Sequence, residues 1–120
     1  MTSRIAQWTL DVQDVERMAE FWSEVLGYEI DRQPDGTTHL VPPAGGEPTV
    51  WLQPSAGPKQ GKNRDHLDLR APDQAAEVER VVKLGATRVD VGQTGEEPFV
   101  VLADPEGNEF CILRSEAELG

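Results

Sequence analysis

Apolar and polar positions alternate from Ile5 to Val12, with Trp8, Leu10 and Val12 on one side and Gln7, Thr9 and Asp11 on the other. That period of two predicts a strand packed on one face. The period then changes. Val15, Met18, Phe21, Trp22, Val25 and Leu26 recur at intervals of three and four behind Asp14, an N-cap residue, and Gly27 follows as a left-handed stop. Short strands are expected over Tyr28–Arg32 and Thr37–Val41, either side of the turn Pro34-Asp35-Gly36, and over Thr49–Gln53 after a Pro/Gly loop. The segment 54–62 is polar, rich in Pro and Gly and without periodicity, and reads as a linker.

The same order then returns. Asp65–Ala71 alternates as a strand. Pro72-Asp73 opens a helix carrying Ala75, Val78, Val81, Val82 and Leu84, and Gly85 ends it. Strands are expected over Thr87–Val91, Phe99–Ala103 and Glu109–Leu113, the last pair joined by the turn Asp104-Pro105-Glu106-Gly107-Asn108. Leu26-Gly27 recurs as Leu84-Gly85 and Asp14 as Asp73; the offset of the second pair also sets Gln7 on His66, and counting back from the ends of the last strands places Thr49 on Glu109. Two copies of one unit are implied, since a solenoid needs about three or more. The fold class is therefore α+β: two tandem βαβββ modules, about 4–53 and 63–114, in a single domain spanning 1–120. Their mixed sheets, each covered by a helix on one face, would form a cleft with the other.

Composition narrows the function. The chain has 120 residues and a formal charge of −11. Binding to phosphate backbones or anionic lipid depends on clustered Lys and Arg, so neither nucleic acid nor a membrane is an expected partner. The single Cys111 rules out an intrachain disulfide and a zinc site of several thiolates. No apolar run approaches the roughly 20 residues of a membrane span, and the N-terminus lacks a signal-like apolar stretch. A cytoplasmic location is the resulting expectation.

Facing singles out the candidate site. Phe110 and Ile112 take the helix side of their strand, which turns Glu109, Cys111 and Leu113 into the cleft. A carboxylate beside apolar neighbours needs a metal or a donor, for which His66 and Arg70 are the candidates. Val50 and Leu52 take the helix side of theirs, so Trp51 points inward with Thr49 and Gln53 as a stacking wall for a flat ligand. Asp68 and Arg70 share the face of His66 and could pair with each other. Trp8 and Trp22 belong to the core, and His39 sits on a strand whose facing its neighbours do not reveal.

Phe21-Trp22 with Leu26-Gly27-Tyr28, His66-Leu67-Asp68-Leu69, and Asp104-Pro105-Glu106-Gly107-Asn108-Glu109-Phe110 resemble the vicinal oxygen chelate superfamily over residues 4–114. That group contains glyoxalase I, bleomycin-resistance proteins and extradiol dioxygenases. The resemblance is greatest to its small glyoxalase-like members. It implies a homodimer and one divalent metal (Zn, Ni, Mn or Fe) held at the positions of Gln7, Thr49, His66 and Glu109. Gln7, His66 and Glu109 can ligate, whereas Thr49 stands where the family has an acid. That substitution argues against glyoxalase I activity, and Gln7 in place of a His argues against extradiol dioxygenase activity. The balance favours a metal-free, polar-lined pocket. Two functions follow. One is a lyase- or isomerase-type glyoxalase-like enzyme acting on a carbonyl, enol or aromatic metabolite, with Glu109 and His66 catalytic and Trp51, Gln7, Thr9, Thr49, Asp68, Arg70 and Cys111 binding the ligand. The other is a bleomycin-resistance-type protein that sequesters a small molecule without changing it.

Overall fold

Both helices begin and end where their capping residues dictate. In the computed structural model, which describes residues 2–55, 57, 61, 65–89 and 97–115, helix α1 runs Val15–Leu26 and helix α2 runs Gln74–Leu84. The Asp14 carboxylate accepts from the backbone N–H of Arg17 at 3.1 Å, and that of Asp73 accepts from Ala76 at 3.1 Å. Each satisfies a donor the helix cannot pair internally. Gly27, at φ 70°, closes α1 by donating to the carbonyl of Ser23.

The chain forms two compact units, Met1–Pro58 and Lys59–Gly120, each a four-stranded mixed sheet with one helix. The expected linker 54–62 falls at this division, and most of it lies outside the described residues. In the first unit, β1 (Gln7–Asp11), β2 (Glu29–Arg32), β3 (Thr38–Val41) and β4 (Thr49–Gln53) lie in the order β1-β4-β3-β2. Strands β1 and β4 are parallel, with Gln7 beside Thr49 and Thr9 beside Trp51. In the second unit, β5 (Leu67–Arg70), β6 (Thr87–Arg88), β7 (Phe99–Ala103) and β8 (Glu109–Leu113) lie in the order β5-β8-β7-β6. Strands β5 and β8 are parallel, with Asp68 beside Cys111. The two units therefore repeat one topology, and the α+β class and tandem βαβββ organisation hold.

Several strands are shorter than their apolar patterns. Strand β1 begins at Gln7, not Ile5, and Ile5 is exposed. Strand β5 begins at Leu67, leaving His66 just ahead of it. Strand β6 ends at Arg88, although Val89 still donates to the carbonyl of Val101; Val91, the expected end, lies outside the described residues.

Period-two facing decides what each core contains. The helix-side positions Val12, Leu40, Val50 and Leu52 are buried under Met18, Phe21 and Trp22 of α1. Trp22, 1% exposed, meets Trp8 and Phe21 edge to face, with ring centroids 5.3 and 5.1 Å apart. Trp22 is thus a core residue, whereas Trp8, which the sequence also placed in the core, packs against it half-buried. In the second unit Leu102, Phe110 and Ile112 are buried with Val78 and Val81 of α2. Tyr28, next after Gly27, fixes the loop that leads into β4. Its hydroxyl donates to the Pro48 carbonyl at 2.9 Å and lies 3.2 Å from the Glu47 carboxylate. Burial and that carboxylate raise the phenol above its ordinary range.

Candidate functional site

The turn ahead of β8 sets the position of the most informative residue. Asp104 is buried, and its Oδ1 accepts from the backbone N–H groups of Glu106 at 3.0 Å and Asn108 at 2.9 Å. The Asn108 side chain adds contacts of 3.2 and 3.1 Å to the two carboxylate oxygens. Gly107, at φ 91°, lets the chain reverse so that its N–H reaches the Asp104 carbonyl at 2.9 Å. The strand that follows starts at Glu109 with its alternation already fixed.

Along β8, Phe110 and Ile112 turn to the helix, while Glu109, Cys111 and Leu113 turn to the other face of the sheet. There they line a hollow of about 380 Å³ together with His66, Asp68, Phe99 and Val101. Its walls are apolar: Phe99, Val101, Leu113 and Cys111. His66, Asp68 and Glu109 are the polar groups on it. His66 Nε2 lies 3.2 Å from Asp68 Oδ1, and both side chains are about half exposed. Among the described residues, ligand atoms of His66, Asp68 and Cys111 all lie within 4.8 Å of one another.

The sequence expectation that Glu109, Cys111 and Leu113 share a face with His66 and Asp68 therefore matches the lining of this hollow. Asp68 pairs with His66, just ahead of β5, where the sequence suggested Arg70. The Nε of Arg70 donates to the Arg114 carbonyl at 3.0 Å. Phe99 and Val101 were not singled out by sequence. All five residues of Phe99–Ala103 are apolar, so alternation cannot assign a face without the partner strand.

In the first unit Trp51 lies opposite in facing to buried Val50 and Leu52, as expected. The register adds His39, which sits beside Trp51 across β3 and β4. The two rings stack with centroids 4.3 Å apart and planes 25° from parallel. His39 Nε2 is buried without a hydrogen-bond partner among the described residues. Gln7 and Thr9 lie on the same face, with Gln7 Nε2 donating to Thr9 Oγ1 at 3.4 Å, and Thr49 is beside Gln7. Gln7, Thr9, Thr49 and Trp51 are thus neighbours on one sheet, and His66, Asp68, Glu109 and Cys111 on the other.

Among the described residues no helix is long and apolar enough to cross a membrane. No curated protein matches the chain. Solved structures similar to it include an antibiotic-binding protein, TnmS3, from Streptomyces sp. CB03234. That likeness has 21% identity over 96% of this chain and 98% of that one, with a TM-score of 0.69. The fosfomycin resistance protein FosX from Mesorhizobium loti is similar at 18% identity over 94% and 92% of the two chains, TM-score 0.71. A variant of FosX from Listeria monocytogenes, solved with Mn(II) and 1S,2S-dihydroxypropylphosphonic acid, gives 15% identity over 98% and 94%, TM-score 0.72. At such identities the likeness establishes the fold, and a fold does not by itself fix the chemistry it carries. The sequence model of the glyoxalase-like domain matches residues 7–113, nearly the whole of both repeats, and the chain belongs to that family.

Proposed function

We propose that the chain is a glyoxalase-like enzyme that moves a proton on a small, mainly apolar metabolite bearing a carbonyl, enol or aromatic group. The observation carrying this reading is the hollow of the second unit, where His66, Asp68 and Glu109 meet walls of Phe99, Val101 and Leu113. Small-molecule sites combine an apolar lining with a few convergent polar groups in this way. Glu109 takes a proton from the carbon next to the substrate oxygen and returns it to the same molecule. His66, paired through Nε2 with Asp68 at 3.2 Å, donates from Nδ1 as an imidazolium to the oxygen on which charge develops. No external oxidant or reductant is required by that balance. A divalent cation bound at this face would add polarisation of the same oxygen. The donor set implied by the family resemblance, Gln7, His66 and Glu109, draws two of its three members from this hollow. The relative solved with Mn(II) supports the idea that such a fold holds a cation.

Proton–deuterium exchange at carbon tests the reading without knowledge of the product. A panel of enolisable carbonyl compounds in deuterated buffer should include one that the protein labels, detected by NMR. Glu109→Gln should slow labelling by about 100-fold or more, the usual scale for a general base, and His66→Ala should also slow it. Equal labelling by Glu109→Gln would remove Glu109 from the mechanism.

A second reading, sequestration of an unaltered ligand, is favoured by the Trp51–His39 stack, a ready aromatic wall on the first unit's sheet. The antibiotic-binding relative keeps this reading in play. Saturable quenching that disappears in Trp51→Phe, with the ligand recovered unlabelled and unchanged, would select sequestration over catalysis. Homodimerisation and a cytoplasmic location remain proposals from the resemblance and from the composition.

A further inference from the structure

The donor group that the second unit brings together differs from the one the family resemblance implies. We propose that His66, Asp68 and Cys111 form a binding site for a thiophilic divalent cation, zinc being the natural occupant. The inference goes beyond the proton chemistry above and shares His66 and Asp68 with it: with the cation bound, the cation would take over the polarisation of the substrate oxygen from His66, while Glu109 keeps its role.

Two strands and the residue just ahead of one of them build the site. Asp68 lies on β5 with His66 two residues before it, and the parallel register of β5 and β8 sets Cys111 directly beside Asp68. Their ligand atoms lie within 4.8 Å of one another, and His66 Nε2 is 3.2 Å from Asp68 Oδ1. Bond lengths of about 2.0 Å to nitrogen or oxygen and 2.3 Å to sulfur put neighbouring donors of a tetrahedral ion roughly 3.3–3.5 Å apart. The imidazole and carboxylate, 3.2 Å apart, are already close to that separation, and the thiol, within 4.8 Å of them, needs to close by about 1.3 Å at most, within reach of a side-chain rotation.

The donor chemistry is selective. Imidazole, carboxylate and thiolate together suit zinc or cobalt and disfavour magnesium and calcium, which take all-oxygen sets. Cys111, 7% exposed, supplies the soft donor at the floor of the hollow, while His66 and Asp68 are about half exposed at its mouth. The cation would displace the thiol proton on binding. Three protein ligands would leave a fourth coordination position open, the arrangement of catalytic rather than structural zinc sites. A net charge of −11 favours cation capture over anion capture at such a face. Glu109 lines the same hollow but stands outside the trio, so its proton-moving role does not compete with ligation.

Cobalt(II) titration of the full chain, stripped with a chelator, tests the site by spectrum and not by activity. The wild type should develop a thiolate-to-cobalt charge-transfer band together with intense visible bands of tetrahedral cobalt, and one equivalent of zinc should abolish both. Cys111→Ser should lose the charge-transfer band. Asp68→Asn and His66→Ala should each weaken cobalt binding at least about tenfold, and Glu109→Gln and Gln7→Ala should leave band and affinity unchanged. Because Cys111 is the only cysteine in the chain, zinc should also slow its alkylation by iodoacetamide in the unaltered protein, which needs no variant to fold. Absence of the charge-transfer band in the wild type overturns the proposal. So does affinity that is lost in Glu109→Gln and Gln7→Ala but kept in Cys111→Ser, which would instead select the family's donor set. Deuterium labelling of substrate is measured separately, so loss of one proposal leaves the other intact.

Discussion

Replacing Asp104 by Ala removes the acceptor around which the turn ahead of β8 is wound. Two backbone N–H groups, of Glu106 and Asn108, lose a carboxylate partner at 3.0 and 2.9 Å, and the Asn108 side chain loses both of its contacts. Hydrogen bonds to a charged group are worth about 1.5–3 kcal/mol each, and donors that can turn toward water recover part of that. Glu106 and Asn108 are only half-buried, so the two backbone bonds together contribute about 3 kcal/mol. With a urea dependence of about 1.5 kcal/mol per molar, the unfolding midpoint should fall by about 2 M. Asp104→Asn keeps one oxygen for both backbone donors and forfeits the contact of the second oxygen, at a cost of about 1 kcal/mol. Chemical denaturation followed by circular dichroism measures both. The reasoning fails if Asp104→Ala shifts stability by less than about 0.5 kcal/mol, or if the Asn variant is as damaging as the Ala variant. A displaced turn also moves the start of β8, so Asp104→Ala should weaken cobalt binding at Cys111 more than it lowers helix content.

Two further outcomes are expected. Gly27→Ala should cost about 1 kcal/mol through the left-handed backbone at φ 70° alone, since the added methyl would meet nothing within 4 Å. A loss several times larger in thermal unfolding would mean that the space there is not open. The pH dependence follows from Glu16, Asp35 and Glu77, whose carboxyls are held below their ordinary range by hydrogen bonds from Arg32, Thr37 and Arg80 respectively. Groups depressed in the folded state contribute stability that is complete above their unfolded values of 4.5 for Glu and 3.8 for Asp, and that is lost as pH falls through the folded values. Denaturant midpoints should therefore be level from about pH 7 to 5 and decline below about 4.5. The decline should be modest because these pairs are solvent-screened. A midpoint that rises on acidification to about pH 3 would contradict the assignment.

How much was legible in the sequence depended on whether a feature is local. The bounds of α1 and α2 could be read from Asp14, Gly27, Asp73 and Gly85, because a cap acts on backbone groups within one turn. Facing could be read wherever apolar and polar residues alternate. Trp51 against Val50 and Leu52, and Glu109 against Phe110, are the cases that located both candidate faces. The internal repeat, read from Leu-Gly and Asp recurring at nearly equal offsets, implied one topology used twice. The segment Phe99–Ala103 and the strand holding His39 defeated the same reading, since neither alternates.

The chain's own pattern thus determined the order of the elements, the facing of those that alternate, and the family, because periodicity and capping are properties of a few consecutive residues. Only the tertiary structure decided which residues meet. Cys111 lies beside Asp68, and His39 beside Trp51, through strand registers that join segments far apart or on different strands. Register is set by packing a whole sheet against its helix, and no local pattern encodes it. The trio of His66, Asp68 and Cys111 is for that reason a feature of the folded sheet, although each member was already a candidate in the sequence.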